Sequence, residues 1–129
     1  MDNHSAIVFV CEHGAAKSMI AAAHFNRIAE QLGLEQRAIA RGTTPDPEIS
    51  LQTVEGLSED GLSPTESMPQ KLTQADLDSA QHVISFCELP VEYRQKIKVE
   101  HWGDVPLVSA DYKQARDVII DHIRRLLAP

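Results

Sequence analysis

The sequence predicts an α/β fold in which helices cover both faces of a parallel sheet. Apolar, β-branched runs alternate along the chain with segments whose apolar residues recur at helical spacing. The first run leads directly into a glycine-containing turn and a helix, and the chain closes on an amphipathic segment. The length of 129 residues suits one domain, residues 1–129, with a single core.

The first half of the chain predicts two strands separated by a helix. Ala6–Val10 is a continuous apolar run, typical of a strand buried on both faces. Residues 16–32 carry an apolar stripe at helical spacing, and Gly33 stands where a helix C-terminus is expected. Ala38–Ala40 predicts a second short strand, and the turn-rich residues 42–47 predict the connection that follows it.

The chain from residue 48 onwards predicts three further helices and two strands. Residues 48–60 are compatible with a helix, and a threonine cap predicts a short helix over residues 74–80. His82–Phe86 is the third strand candidate, and Val99–Trp102 is a weaker fourth. The closing helix carries its apolar stripe on Ala115, Val118, Ile119, Ile123 and Leu126.

Composition and charge argue against several classes of partner. Lysine and arginine total 12 against 19 aspartates and glutamates, so the net charge is −7 and no nucleic-acid partner is expected. The longest apolar stretch, residues 6–11, is far shorter than the ~20 residues that span a bilayer, so no membrane partner is expected either. Residues 1–5 lack the basic start of a secretory signal, and two cysteines without a disulfide framework fit a reducing, cytoplasmic setting.

The turn after the first strand carries the residues with the clearest chemistry. Backbone N–H groups of a glycine-containing loop at a helix N-terminus form an anion cradle, and Gly14 permits the positive φ that such a loop requires. The helix dipole and Lys17 favour a Cys11 thiolate as a nucleophile, and Ser18 can donate to its sulfur. A buried cysteine beside an ordinary tight turn is an equally compatible interpretation of the pattern alone. The whole turn reads Cys11-Glu12-His13-Gly14-Ala15-Ala16-Lys17-Ser18.

This turn, within the segment Phe9–Ala21, resembles the phosphate loop of the low-molecular-weight protein tyrosine phosphatases and the related thioredoxin-coupled arsenate reductases. Residues 39–43, 83–87 and 102–106 resemble later segments of the same family. The resemblance implies a three-layer sandwich around a four-stranded parallel sheet. It also implies a cysteinyl-phosphate intermediate, with no metal and no other cofactor.

The resemblance also implies roles for individual residues. Cys11 would attack phosphorus, and Asp104 would protonate the leaving oxygen and later activate water. The implied catalytic residues are Cys11, Lys17, Ser18 and Asp104. The implied phosphate-binding residues are Glu12, His13, Gly14, Ala15, Ala16 and Lys17.

Several departures from the family pattern affect the expected activity. Lys17 replaces an arginine, and an ammonium cannot reproduce the planar fork of a guanidinium on two phosphate oxygens. Arg41, beside the loop, is a candidate accessory cation, although a solvated strand-end arginine is the more ordinary interpretation. Val105 separates Asp104 from Pro106, whereas the family places its aspartate directly before proline. The sequence is therefore about equally compatible with Asp104 as the general acid and with Asp104 as an ordinary turn residue. Asp111 and Glu88 are competing candidates for the acid.

A second pair of departures is mutually consistent. Gly14 stands where the family has asparagine, and Ala40 replaces the serine that bonds it. Because glycine adopts a left-handed turn without a side-chain hydrogen bond, we expect the loop to keep its anion-binding conformation although that serine is absent. Cys87 occupies the position of the second cysteine of the arsenate reductase relay, but a third cysteine is absent and a buried strand cysteine is the favoured interpretation.

The leading prediction is a phosphomonoesterase resembling these tyrosine phosphatases. The family lines its phosphotyrosine slot with aromatic residues, and Thr43–Pro47 supplies none. The expected partners are therefore phosphate or another oxyanion and either a phosphorylated small molecule or a phosphotyrosine protein. The alternatives are a thiol-dependent arsenate reductase, with thioredoxin or another thiol as partner, and a non-catalytic oxyanion-binding module.

Overall fold

A computed structural model of the chain describes residues 6–93 and 98–128. The prediction about a secretory signal concerns residues 1–5, which lie outside this range. The elements, in order, are β1 (Ala6–Cys11), α1 (Lys17–Gln31), β2 (Arg37–Gly42), α2 (Leu51–Glu59), α3 (Gln74–Asp78), β3 (Ala80–Ser85), a 3-10 turn (Val91–Tyr93), β4 (Val99–His101) and α4 (Tyr112–Leu127).

The four strands form one parallel sheet in the order β2-β1-β3-β4, which confirms the predicted fold class. Cys11 pairs with Gly42 on one side, and Val10 pairs with Ser85 on the other. The carboxyl ends of β1, β2 and β3 therefore meet at one edge of the sheet, where open α/β sheets bind ligands.

Two apolar clusters form the layers on either side of the sheet. One face packs against α1 and α4, with Phe9, Phe25 and Ile119 fully buried between them. The other face packs against α3 and its flanking segments through Val8, Val10 and Leu77. Because β1 is buried on both faces, it carries the uninterrupted apolar run that the sequence shows.

Helix and strand bounds differ from the prediction where local capping decides them. α2 begins at Leu51 rather than residue 48, because the Ser50 side chain accepts a hydrogen bond from the Thr53 N–H. The predicted Thr73 cap is confirmed, and Asp76 completes a capping box with it. α3 nevertheless ends at Asp78, so β3 starts two residues earlier than predicted. No helix among the described residues is long and apolar enough to cross a membrane.

Candidate active site

Cys11 ends β1 and lies buried at the head of the loop that leads into α1. Its Sγ is 3.2 Å from the Gly14 backbone nitrogen, which donates to it, and 3.1 Å from the Ser18 Oγ. Both neighbours can donate hydrogen bonds, so both stabilise negative charge on the sulfur. The loop therefore holds a cysteine in the surroundings expected of a nucleophile.

The loop is shaped by its backbone. Gly14 has a φ of +64°, as predicted for the residue that turns the chain around an anion. It lies against Gly42 at the end of β2, where an added Cβ would come within 2.7 Å of the Gly14 nitrogen. The two glycines let these segments touch, and Ala40, two residues before Gly42 in β2, is fully buried. The Gly14 conformation agrees with the expectation of a maintained loop.

The carbonyl groups of the loop face the segment that follows β2. The carbonyls of Cys11, Glu12 and His13 accept hydrogen bonds from the N–H groups of residues 43, 44 and 46 at 3.2, 2.8 and 2.9 Å, respectively. The Ala15 carbonyl accepts from the Ser50 N–H at 3.0 Å. A loop whose carbonyls are bonded on one side can present its N–H groups on the other, as an anion cradle requires.

The N-terminus of α1 has no side-chain cap. Ala16 occupies the N-cap position, and no acidic residue stands in the first turn. The first N–H groups of a helix have no partner within the helix, and their partial positive charge attracts anions. The sequence has thus placed an uncapped helix start beside the Cys11 sulfur, where an oxyanion can serve as the cap.

Lys17 links the cradle to the loop before α4. Its Nζ donates to the Val105 carbonyl at 2.9 Å, and the side chain is half-buried. An ammonium has three N–H donors, so this bond leaves donors for an oxyanion. Lys17 thus lines the site, and its hydrogen bond to Val105 also holds the loop before α4 against the phosphate loop.

A cavity of about 390 Å³ opens above Cys11. It brings together most of the predicted phosphate-loop residues and Cys87, which follows β3. Burial raises the pKa of the Cys87 thiol, which favours its protonated form. The lining residues are Cys11, Glu12, His13, Ala15, Ala16, Lys17, Asp46, Ser50, Gln52, Phe86, Cys87, Leu107, Val108 and Ser109.

The structure does not bring Asp104 into this cavity. Its side chain is 64% exposed, and its Oδ1 lies 2.7 Å from the His122 Nε2 across a separate open groove. The hydrogen bond from His122 lowers the pKa of this carboxyl below its usual value. Val105, the residue directly before Pro106, is buried instead. Asp104 is therefore not among the residues that line the cavity, because the loop turns its carboxylate towards α4, and its role as the general acid stays a prediction.

Arg41 is not among the residues that line the cavity, so the structure does not support its possible role as an accessory cation. Its guanidinium forms an ion pair with Glu66 and, through Nε, a 3.0 Å pair with Asp76. These two carboxylates therefore occupy the guanidinium of Arg41. Asp111, considered as a competing acid, instead caps α4 through its Oδ1 and the Gln114 N–H.

Sequence reasoning did not identify three groups of lining residues. Asp46, Ser50 and Gln52 follow β2, Phe86 follows β3, and residues 107–109 follow β4. The signal that could have found them is topological, because the chain leaves each parallel strand at the same edge of the sheet. Among them, Asp46 lies within 3.2 Å of the His13 ring through its Oδ1 and the ring Nδ1.

The chain is similar to known proteins over most of its length. The model of the low molecular weight phosphotyrosine protein phosphatase family matches residues 6–117. A mutant of YwlE from Bacillus subtilis is 27% identical, with a TM-score of 0.79 over 94% of this chain and 95% of that one. A YwlE arginine phosphatase mutant with a phosphorylated active-site serine is 26% identical, with a TM-score of 0.82 over 94% and 92% of the two chains.

An arsenate reductase from Archaeoglobus fulgidus DSM 4304 shares the fold at 21% identity, with a TM-score of 0.74 over 93% of this chain and 97% of that one. These structures confirm the predicted three-layer architecture. A search among curated proteins found no match to the sequence.

Proposed function

The chain belongs to the low molecular weight phosphotyrosine protein phosphatase family, and we propose that it hydrolyses phosphate monoesters through a phosphorylated Cys11. The observation that carries the proposal is the Cys11 sulfur itself. It accepts from the Gly14 N–H at 3.2 Å and lies 3.1 Å from the Ser18 hydroxyl, beside an uncapped helix start and beneath an open cavity. A nucleophile and an anion cradle are thus held together.

In the proposed reaction, the Cys11 thiolate forms a bond to phosphorus while the bond to the ester oxygen breaks. The loop N–H groups and the Lys17 ammonium hold the non-bridging oxygens as negative charge shifts onto them. Water then attacks phosphorus, and the sulfur leaves as a thiolate that the Ser18 hydroxyl stabilises. Apart from the ester and the attacking water, every group in this scheme belongs to the chain, so no cofactor takes part in the proposal.

The cavity wall supports a substrate with an apolar group beside its phosphate. Phe86, Leu107 and Val108 are among the residues that line the cavity, and Leu107 is 66% exposed. We therefore propose an aryl phosphate, as a small molecule or as phosphotyrosine in a protein. The unpaired cysteines Cys11 and Cys87 support a reducing, cytoplasmic setting for such an enzyme.

The test measures release of phosphate from an aryl phosphate and from phosphoarginine, with a metal chelator present. Phosphoarginine, whose phosphorus is bonded to nitrogen and not to an ester oxygen, is included as a second substrate class because a protein of similar structure is an arginine phosphatase. We expect turnover that survives the chelator and disappears in Cys11→Ser. Turnover that persists in Cys11→Ser would contradict the proposal, and tight phosphate binding without turnover would indicate a non-catalytic oxyanion-binding module.

Cys87 supports a second candidate function, thiol-dependent arsenate reduction. It lines the same cavity as Cys11, so both thiols face one bound oxyanion. Two thiols would supply two electrons to arsenate, giving arsenite and a Cys11–Cys87 disulfide that thioredoxin or another dithiol reopens. Arsenate-dependent loss of both free thiols in the native protein, absent in Cys87→Ser, supports this function. Unchanged thiols would exclude it.

A further inference from the structure

We propose that Asp60, acting through Tyr112, positions Leu107 against the ester group of the substrate. This inference rests on the proposed function and names what fixes one part of its cavity wall. Leu107 lines the cavity, whereas neither Asp60 nor Tyr112 is among its lining residues. Asp60 and Tyr112 are therefore positioning residues, which act by holding the end of the loop that carries Leu107.

The Asp60 carboxylate joins three helices. Asp60 directly follows α2, and its side chain is only 11% exposed. Its Oδ2 accepts a hydrogen bond from the Tyr112 hydroxyl at 2.8 Å, and its Oδ1 accepts one from the Arg116 Nη1 at 2.8 Å. The Nε2 of His24, in α1, lies 3.2 Å from the same Oδ2. Hydrogen bonds to a charged acceptor are stronger than neutral ones, so the carboxylate fixes the first turn of α4.

The carboxylate is charged although it is largely buried. Burial alone would raise the pKa of Asp60, but the hydrogen bonds from Tyr112 and Arg116 hold this pKa below its usual value. The bond from the Tyr112 hydroxyl is therefore a bond to an ionised group.

The other end of α2 is fixed to the phosphate loop. The Ser50 N–H donates to the Ala15 carbonyl at 3.0 Å, and both residues line the cavity. Within α2, Gly56 lies so close to the Tyr112 ring that an added Cβ would come within 2.4 Å of it. The phosphate loop, α2 and the start of α4 thus form one continuous set of contacts that ends at Tyr112.

The loop segment that carries Leu107 is held between two anchors. On one side, the Val105 carbonyl accepts a hydrogen bond from the Lys17 Nζ at 2.9 Å. On the other side, the Leu107 carbonyl accepts one from the Asp111 N–H at 3.2 Å, and Tyr112 is the next residue. A shift of Tyr112 would therefore be passed to Leu107 through a single turn of the chain.

The two parts of a substrate would meet differently held parts of this cavity. The phosphoryl group would bind the backbone of the phosphate loop, whereas an apolar ester group would contact Leu107. Loosening Tyr112 should therefore weaken binding of the ester group and leave binding of inorganic phosphate unchanged. An apolar contact of this kind is the same in the ground state and the transition state, so its loss changes KM and not kcat.

The test compares the two tyrosines of the chain after removal of the same atom. Tyr112→Phe deletes the hydroxyl that bonds to Asp60 and keeps the ring. We expect KM for p-nitrophenyl phosphate to rise about tenfold, the size typical of a lost contact in an apolar pocket. The value of kcat and the inhibition constant of inorganic phosphate should stay unchanged.

Tyr93→Phe is the matched control. The Tyr93 hydroxyl donates to the Leu72 carbonyl at 3.3 Å, and both residues belong to the apolar cluster on the other face of the sheet. This variant loses one hydroxyl and one hydrogen bond, as Tyr112→Phe does, but it should leave KM, kcat and the inhibition constant of phosphate unchanged.

A double-mutant cycle tests whether Tyr112 acts through Leu107. Leu107→Ala removes the apolar side chain from the wall and should itself raise KM. Tyr112→Phe should then raise KM less in Leu107→Ala than in the native enzyme, because the side chain that Tyr112 positions is gone. Asp60→Asn, which keeps the shape of the side chain but removes its charge, should reproduce the selective rise in KM.

The outcomes separate failure of this inference from failure of the proposed function. An unchanged KM in Tyr112→Phe overturns the inference, as do additive effects in the cycle. Equal rises in KM and in the inhibition constant of phosphate also overturn it, because general loosening of the fold would produce them. In each case Cys11→Ser, inactive on p-nitrophenyl phosphate, still supports the phosphatase. Absence of turnover in the native protein overturns the proposed function and this inference together.

Discussion

The phosphate loop, Cys11–Ser18, is held mainly by backbone groups, whereas the loop before α4, residues 102–111, is held mainly by side chains. In the first, successive carbonyls bond to the segment after β2, and Gly14 touches Gly42. In the second, Trp102 is buried, its Nε1 donates to Glu100 at 2.6 Å, and His122 stacks on its ring with the centroids 4.6 Å apart.

In the phosphate loop the backbone amides carry the proposed chemistry, whereas in the loop before α4 buried side chains contribute mainly to stability. A backbone cradle tolerates changes in its outward side chains, because the groups that face an anion are amides that every residue but proline carries. A loop held by side chains depends on which residues it contains, and here Trp102 and Val105 occupy the core. The second loop therefore contributes packing, the Val105 carbonyl that anchors Lys17 and, through residues 107–109, part of the cavity wall.

Removal of Trp102 is expected to have the largest effect on stability. Trp102→Ala deletes a fully buried side chain and its contacts with Phe9, Phe86 and His122. The free energy of unfolding should fall by about 3–5 kcal/mol, measured by urea denaturation. Leu107→Ala in the same loop, at a 66% exposed side chain, is the control and should change little. Equal losses in the two variants would contradict the division between the loops.

The contact between Gly14 and Gly42 gives a smaller effect in the first loop. Gly42→Ala would place a Cβ 2.7 Å from the Gly14 nitrogen, so the backbone must separate. We expect a loss of about 1–3 kcal/mol in the free energy of unfolding, together with weaker phosphate binding by calorimetry. In Gly103→Ala the added Cβ meets no atom within 4 Å, so stability and binding should stay unchanged. Native behaviour of Gly42→Ala would show that the close approach is unimportant.

Lys17→Arg tests whether the cradle still accepts the family guanidinium. A guanidinium binds two oxygens of the transferring phosphoryl group at once and therefore binds that group better than an ammonium does. Since one transition-state donor is typically worth about 10² to 10³ in rate, we expect kcat to rise about tenfold. Lys113→Arg, on the exposed surface of α4, is the control for the exchange itself. A fall in kcat would indicate a site built for lysine, held by its bond to Val105.

The smallest expected effect lies outside both loops, where α1, α2 and α4 meet. Burial lowers the pKa of His24 below 6.5, despite its hydrogen bond to Asp60. The unfolded chain therefore takes up this proton at a higher pH than the folded chain, so the free energy of unfolding should decrease as pH falls below about 6.5. Urea denaturation of the native protein and of His24→Gln checks this. The variant should show a flatter dependence, whereas the exposed His82→Gln should retain the native slope.

The amino-acid sequence by itself determined the order of strands and helices, the Gly14 turn and the proximity of Cys11, Ser18 and Lys17. These features follow from local periodicity and short spacings, because a strand, a tight turn and a helix start fix the positions of the few residues between them.

Only the tertiary structure decided which distant side chains enter the cavity. Asp104 turns to His122, Arg41 turns to Glu66 and Asp76, and Cys87 joins Cys11. A side chain in a connecting loop takes its direction from packing and ion pairs with other elements, which no local pattern records. The meeting of His13 with Asp46 is of this kind, because it depends on how the chain returns past the end of β1 after β2.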